Sequence, residues 1–177
     1  MPEEPREFWS TDGHFGARLE GAALRAILDW CRKSGKSETG GILVGRYSDD
    51  RRLATITAAS APPSDSRAGH SWLLRGVRGL HSWLERLWKD EAGYYVGEWH
   101  FHPFSPATPS RQDIAQMKRI AKSESYQCAE PILLVIGGNP AGAWTMRLEV
   151  HSRAGNRHEL SMQTNHTTRD VVIDVKP

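Results

Sequence analysis

Apolar residues recur along this chain with two periods, and each period predicts a different element. Leu19, Ala23, Leu24, Ile27, Leu28 and Cys31 return every three or four residues, which predicts a core-facing helix over residues 17–33. A Lys33-Ser34-Gly35-Lys36 turn follows. The run from 41 to 47 and the run from 53 to 59 read as strands joined across Ser48-Asp49-Asp50 in a hairpin. Residues 60–71 are small and polar and predict a loop. Helical spacing returns over about 74–89, where Leu80, Leu84, Leu87 and Trp88 form an apolar stripe. Trp72, Trp83 and Trp88 at this spacing read as core rather than as a ligand-stacking cluster.

Residues 93–102 are rich in aromatics and end at Pro103, as a strand should. After Pro109, Ser110 is placed to cap a helix over 110–123 whose apolar positions are Ile114, Met117, Ile120 and Ala121. The apolar run 131–137 reads as a buried strand, and 143–151 as its partner across a Gly138-Asn139-Pro140-Ala141-Gly142 turn. Residues 152–170 are polar and read as an extension, while 171–175 are apolar enough to dock as a strand or on a partner.

The candidate chemistry sits on the aromatic strand. His100-Phe101-His102-Pro103 is followed by Ser110 and Asp113, in the spacing H-x-H-x7-S-x2-D. Side chains alternate along a strand, so two histidines one residue apart point the same way and can converge on one point. Asp113 lies in the first turn of the next helix, which returns a carboxylate to the mouth of the strand. Two imidazoles and one carboxylate are the ligand set of an open catalytic zinc site, with a fourth position left for water. The competing reading is a pair of ordinary histidines beside a helix-capping pair. Composition alone produces this four-residue spacing in about one or two chains in a thousand.

A zinc-site hydrolase also needs a base that does not bind the metal. Glu38 is the candidate, at the junction of helix and strand in Ser37-Glu38-Thr39-Gly40-Gly41-Ile42, where glycines allow close backbone approach. Glu98 shares the strand face of His100 and His102. Two readings of it stand: an acceptor for an imidazole N–H, or a partly exposed charge at the sheet margin.

With ETGGILVG around Glu38, then HFHP, then PSRQD, the chain resembles the JAMM (JAB/MPN) metalloprotease family over roughly residues 15–150. That resemblance implies an α/β fold: a single domain with a mixed, curved β-sheet flanked by helices. It implies Zn²⁺ held by His100, His102 and Asp113, Glu38 as general acid/base, and Ser110 as a donor to the tetrahedral intermediate. Phe101 replaces the Ser or Thr of many eukaryotic members, at a position that should face away from the metal. The 60–71 loop would flank the substrate groove. The domain is expected at 15–152, with an N-terminal extension at 1–14 and a C-terminal extension or tail at 153–177.

The strings GEWHFHP, PSRQD and C-x-E-P-I-L-L-V-I-G-G are similar to bacterial JAMM proteases encoded beside E1- and E2-like proteins in anti-phage operons of the CBASS type. The resemblance implies an isopeptidase that removes or processes a ubiquitin-like conjugate at its C-terminal tail, with a cyclic-nucleotide synthase as the conjugated partner. Three other functions remain open at this point. They are release of an amino acid from a sulfur-carrier protein, a RadC-like DNA-associated role, and a non-catalytic scaffold.

Composition narrows the classes. At 177 residues, 38% hydrophobic and 25% charged, the chain suits one globular core. A net charge of +2 gives no argument for nucleic acid, and Arg75, Arg78, Arg86 and Lys89 read as a solvated face. No apolar run approaches the roughly 20 residues of a membrane span, and the first residues lack the pattern of a signal peptide, so a cytoplasmic location without membrane partners is expected. Cys31 and Cys128 lack metal-binding spacing and read as buried hydrophobes, with a sharper reading that brings Cys128 near the zinc as a redox-sensitive thiol. His70 and His81 read as ordinary surface or core histidines.

Overall fold

A computed structural model of the chain describes residues 4–69, 71 and 73–163. The strands are β1 (Arg6–Ser10), β2 (Gly16–Leu19), β3 (Thr39–Tyr47), β4 (Leu53–Ala59), β5 (Arg67–Ala68), β6 (Leu73–Leu74), β7 (Tyr94–Pro103), β8 (Ile132–Gly138), β9 (Trp144–His151) and β10 (Arg157–Met162). The helices are α1 (Gly21–Ser34), α2 (Leu80–Glu91) and α3 (Arg111–Lys122). Eight strands form one mixed sheet in the order β1-β10-β9-β8-β7-β3-β4-β2, which curls until β2 meets β1. The pairs β2/β4 and β7/β8 are parallel and the other pairs antiparallel. The two short strands β5 and β6 pair only with each other. This is the mixed, curved α/β sheet that the resemblance implies.

Strand β8 shows how the core divides. Its even-numbered residues Ile132, Leu134 and Ile136 join Phe101, Trp99, Leu148 and the apolar face of α1 in the main core. Leu133 and Val135 point the other way, against Met117 and Ile120 of α3. A strand covered on both faces reads as a continuous apolar run, as Ile132–Ile136 does.

Several boundaries differ from those the sequence predicts. Residues 16–19 form a strand and the first helix begins at Gly21, because Leu19 and Ala17 enter the core by strand alternation beside β4. Residues 6–10, assigned to the N-terminal extension, and 157–162, assigned to the C-terminal tail, are the strands that close the sheet. The apolar stripe of α2 is not core: none of its residues is buried, and Trp88 is 57% exposed. This helix lies over a cavity of about 330 Å³ lined by Ile42, Leu80, Leu84 and Tyr95 among others. Part of the 60–71 loop is strand β5, and Leu74, expected in the second helix, belongs to β6. Trp72, His70 and the apolar 171–175 segment lie outside the described residues.

The closing strand is tied by charge. Glu149 of β9, 1% exposed, accepts hydrogen bonds from Arg147 and Arg157 at 2.9–3.0 Å, and His151 lies 3.3 Å away. Burial works to raise this carboxyl, but His151, Arg157 and Arg147 outweigh it and hold it down from 4.5 to about 2. A carboxylate held down in the folded state stabilises above its unfolded value and loses that contribution on acidification. We therefore expect about 3 kcal/mol of stability to disappear between pH 4.5 and 2, and Glu149→Gln to flatten that acid limb in urea titrations.

At Gly97 a Cβ would run into the Ile132 carbonyl of the neighbouring strand. Gly97→Ala should lower the unfolding free energy by about 2–3 kcal/mol, whereas Gly142→Ala, with only ordinary contacts around it, should change the urea midpoint little.

Candidate active site

Strand β7 runs between β3 and β8 and is hydrogen-bonded to both. Opposed residues in a sheet share a face, so the pairs Gly40↔His100 and Val135↔His100 place the histidine on the face where Val135 meets α3. Glu98, His100 and His102 point there together. Phe101 between them is fully buried in the main core, so its difference from Ser or Thr does not reach the site. Upstream, Val44 pairs with Tyr95 and Leu43 with Gly97, leaving Val96 as the extra residue of a β-bulge. The bulge turns Val96 inward and sets Tyr95 on the same face as Glu98, where its hydroxyl donates to Glu98 Oε1 at 3.1 Å.

Helix α3 brings the third donor. Ser110 is its N-cap, with Oγ accepting from the Asp113 N–H at 3.1 Å, and Asp113 Oδ2 accepts from the Ser110 N–H at 2.7 Å. This capping box satisfies two backbone donors that a helix start leaves open, and it also fixes the direction of the carboxylate. Asp113 Oδ1 lies 2.8 Å from His100 Nδ1 and Oδ2 lies 3.3 Å from His102 Nε2. The capping pair and the convergent cluster therefore share Asp113, so the helix cap and the gathering of the two histidines occur in one geometry.

Ligand atoms of His100, His102 and Asp113 fall within 4.8 Å of one another, and all three residues are buried. His100 Nε2 is buried without a hydrogen-bond partner. Burial works against protonation of His100, but Asp113 and Glu98 outweigh it and push its pKa up to about 9. Burial likewise works to raise Asp113, yet the two imidazoles and the Ser110 N–H hold it well below the usual carboxylate range. A convergent set of two nitrogens and one anionic oxygen, with a buried nitrogen left unsatisfied, fits a cation with a preference for N and O ligands.

Glu38 is half-buried and immediately precedes β3. Strand β3 begins one residue later, and continuing its register Thr39↔Phe101 by one residue would bring Glu38 opposite His102. Its backbone N–H donates to Gly69 O at 2.9 Å. Two residues on, Gly40 has no room for a Cβ against the Trp99 carbonyl, Leu73 and His100, so the bare backbone lets Leu73 and the imidazole pack close.

Glu98 fits neither reading of the sequence as it stands. It is fully buried, and its Oε2 is 3.8 Å from His100 Nε2, too long for a hydrogen bond. Its oxygens accept instead from Arg75 Nε and Nη2, both at 2.7 Å, from Tyr95, and from Gln116 Nε2 at 3.1 Å. Arg75 was expected on a solvated face; only 5% of its side chain is exposed. Burial opposes its charge, and Glu98 more than compensates, raising its pKa. Nothing in the sequence pairs Arg75 with a residue 23 positions away, and Gln116 carries no signal beyond lying one turn after Gln112. Cys128 is a buried thiol 3.4 Å from the Tyr47 hydroxyl, and burial raises its pKa, as expected of a small core hydrophobe. His81 is exposed on α2.

Comparison with known proteins gives the family. The model for prokaryotic homologues of the JAB domain matches residues 21–149. The chain belongs to this family. Over 135 residues it is 43% identical to a protein of Enterobacter hormaechei subsp. hoffmannii (strain UCI 50) named CD-NTase/cGAS isopeptidase, covering 76% of this chain and 74% of that one. The solution structure of protein DSY2949 from Desulfitobacterium hafniense shares the fold, with a TM-score of 0.58 and 19% identity over 82% of this chain and 88% of that chain. Among the described residues, no helix is long and apolar enough to cross a membrane.

If the cluster is a cation site, protein loaded with zinc or cobalt(II) and then desalted should keep about one ion per chain. His102→Ala and Asp113→Ala should each lose most of it. Full retention in both variants would refute the ligand set. Ser110→Ala should cost about 1 kcal/mol in stability through the lost cap and weaken retention of the ion, since the same cap aims Asp113.

Proposed function

We propose that this chain is a zinc-dependent isopeptidase that cuts the amide at the C-terminal tail of a conjugated protein, with a nucleotide-synthesising enzyme of the CD-NTase/cGAS kind as the conjugate. The observation that carries this reading is the buried convergence of His100, His102 and Asp113 in a chain 43% identical to a protein of that name. These three residues would hold the Zn²⁺, which when bound supplies Lewis-acid polarisation of a carbonyl and acidifies water at neutral pH.

The rest of the chemistry falls to the chain. Glu38 takes the proton of the attacking water and returns it to the leaving amine. Ser110 accepts the Asp113 N–H through an oxygen lone pair, so the cap does not use its hydroxyl hydrogen, which can donate to the oxyanion as it forms. Asp113 is kept ionised by its neighbours and is a ligand rather than a proton carrier. Glu98, with its acceptor positions filled, is neither ligand nor base. The conjugate would be made by E1- and E2-like partners in the same cytoplasm and released here.

Glu38→Gln should abolish hydrolysis while leaving metal content and Tm near wild type, because it removes a proton carrier and not a ligand. The wild-type protein should cleave a fusion of the CD-NTase-type partner's tail to an arbitrary second protein, and a zinc chelator should stop it. Unfolded casein should be a poor substrate, since the folded body of the conjugate supplies most of the binding energy. Equal cleavage of casein and fusion would replace this reading with a general protease. Release of a small amino acid from a carrier, with no fusion cleaved, would replace it with the sulfur-carrier activity.

A further inference from the structure

Residues 60–69, 71 and 73–79 form a strap that is hydrogen-bonded to the elements of the site. Of its larger apolar side chains in the β6 region, Leu73 is buried, while Leu74 and Val77 are 61% and 66% exposed. The helix that follows it buries no residue, and the cavity of about 330 Å³ lies beneath their junction, with Arg75 in its wall. Among the described residues, Leu73 is thus the strap's one large apolar side chain that is buried. What holds it are hydrogen bonds to the three elements that carry the candidate site. Glu38 N–H donates to Gly69 O, Gln112 Nε2 of α3 donates to Leu73 O at 2.8 Å, and the Arg75 fork clasps Glu98 of β7.

The last of these differs from the others in kind. A bidentate guanidinium–carboxylate contact fixes distance and orientation together, which a single hydrogen bond does not. Glu98 lies two residues before His100 on the same face and also accepts from Gln116, one turn after Asp113. One buried carboxylate thus joins strap, metal-bearing strand and capped helix. A buried ion pair adds little net stability compared with apolar residues of the same size, but it discriminates strongly against any displaced arrangement, because displacement strands a buried charge. Such a pair is suited to setting position.

We propose that Arg75 and Glu98 are a positioning pair that sets where the strap lies over the metal-bearing strand, and so governs how a folded conjugate is engaged rather than the chemical step. The substrate half of this inference rests on the isopeptidase reading; the structural half does not. Neither residue touches substrate in this account.

Three variants test it: Arg75→Met, Arg75→Met with Glu98→Gln, and Arg75→Lys. Arg75→Met leaves Glu98 charged and unpaired and should lower Tm. Adding Glu98→Gln removes the stranded charge while keeping one acceptor oxygen on this face, and Gln116 can turn its own amide oxygen toward the new NH2, so most of the Tm should return. In that stable double variant the amide of Glu38, bonded to Gly69 O of the strap, should still exchange at least about tenfold faster than in wild type. Zinc stoichiometry should be unchanged, KM for the fusion should rise about tenfold and kcat should stay within about twofold. Arg75→Lys, which keeps the charge but not the fork, should fall between wild type and the double variant in exchange rate. A merely structural role predicts that exchange and KM recover together with Tm, and that result would overturn the proposal. If wild-type protein cleaves no fusion, the isopeptidase reading fails, and the exchange rates alone decide the pair.

Discussion

The site depends on a strand that cannot shift. Because β7 is bonded to β3 on one side and β8 on the other, its backbone has no freedom to rotate a residue from one face to the other without breaking two ladders. Alternation then acts as a fixed rule: Trp99 and Phe101 enter the main core, and Glu98, His100 and His102 emerge on the face covered by α3 and the strap. The large buried rings between the polar residues resist any slip in register, since a one-residue shift would exchange imidazoles for core. The histidines are as well placed as Trp99 and Phe101 are packed.

Two buried carboxylates lie on this face with opposite availability. Glu98 has Arg75 as a permanent counter-charge and donors on both oxygens, so it is closed to new ligands. Asp113 is held by two imidazoles and one backbone N–H. Imidazoles can give up protons to an incoming cation and ligate it, whereas a guanidinium cannot. The same charge on the same face is therefore closed to a cation in one case and open to it in the other. The difference lies in the chemistry of the cationic partner.

Packing is uneven around the site. One side of the sheet closes over a continuous apolar core with α1, and α3 seals part of the other side through Met117 and Ile120. The strap is hydrogen-bonded to the body through Gly69, Leu73 and Arg75, and α2, with no buried residue, lies above a cavity. Surfaces that engage a partner protein draw on elements of this kind, whose positions are set by a few directional bonds and whose apolar residues remain accessible.

Much of the candidate site was legible in the sequence because it is local. The period of two places His100 and His102 together without knowledge of the fold, and the capping signature of Ser110 and Asp113 starts a helix and aims a carboxylate within one turn. The central strands and α3 were legible for the same reason: their periodicity is strong and they are buried by it. Other features depended on distant chain. Residues 6–10 and 157–162 are strands only because they pair with each other and with β2 and β9, and short polar segments carry no period that shows this. The apolar stripe of α2 predicted core, but periodicity reports that a helix is amphipathic, not what lies opposite. Above all, the pairing of Arg75 with Glu98 joins residues whose separation follows no local rule. Local chemistry, then, determined the candidate ligands and their convergence, while the tertiary fold decided which charges are buried, what they face and where the strap rests, because burial and partnership are set by chain segments far apart in sequence.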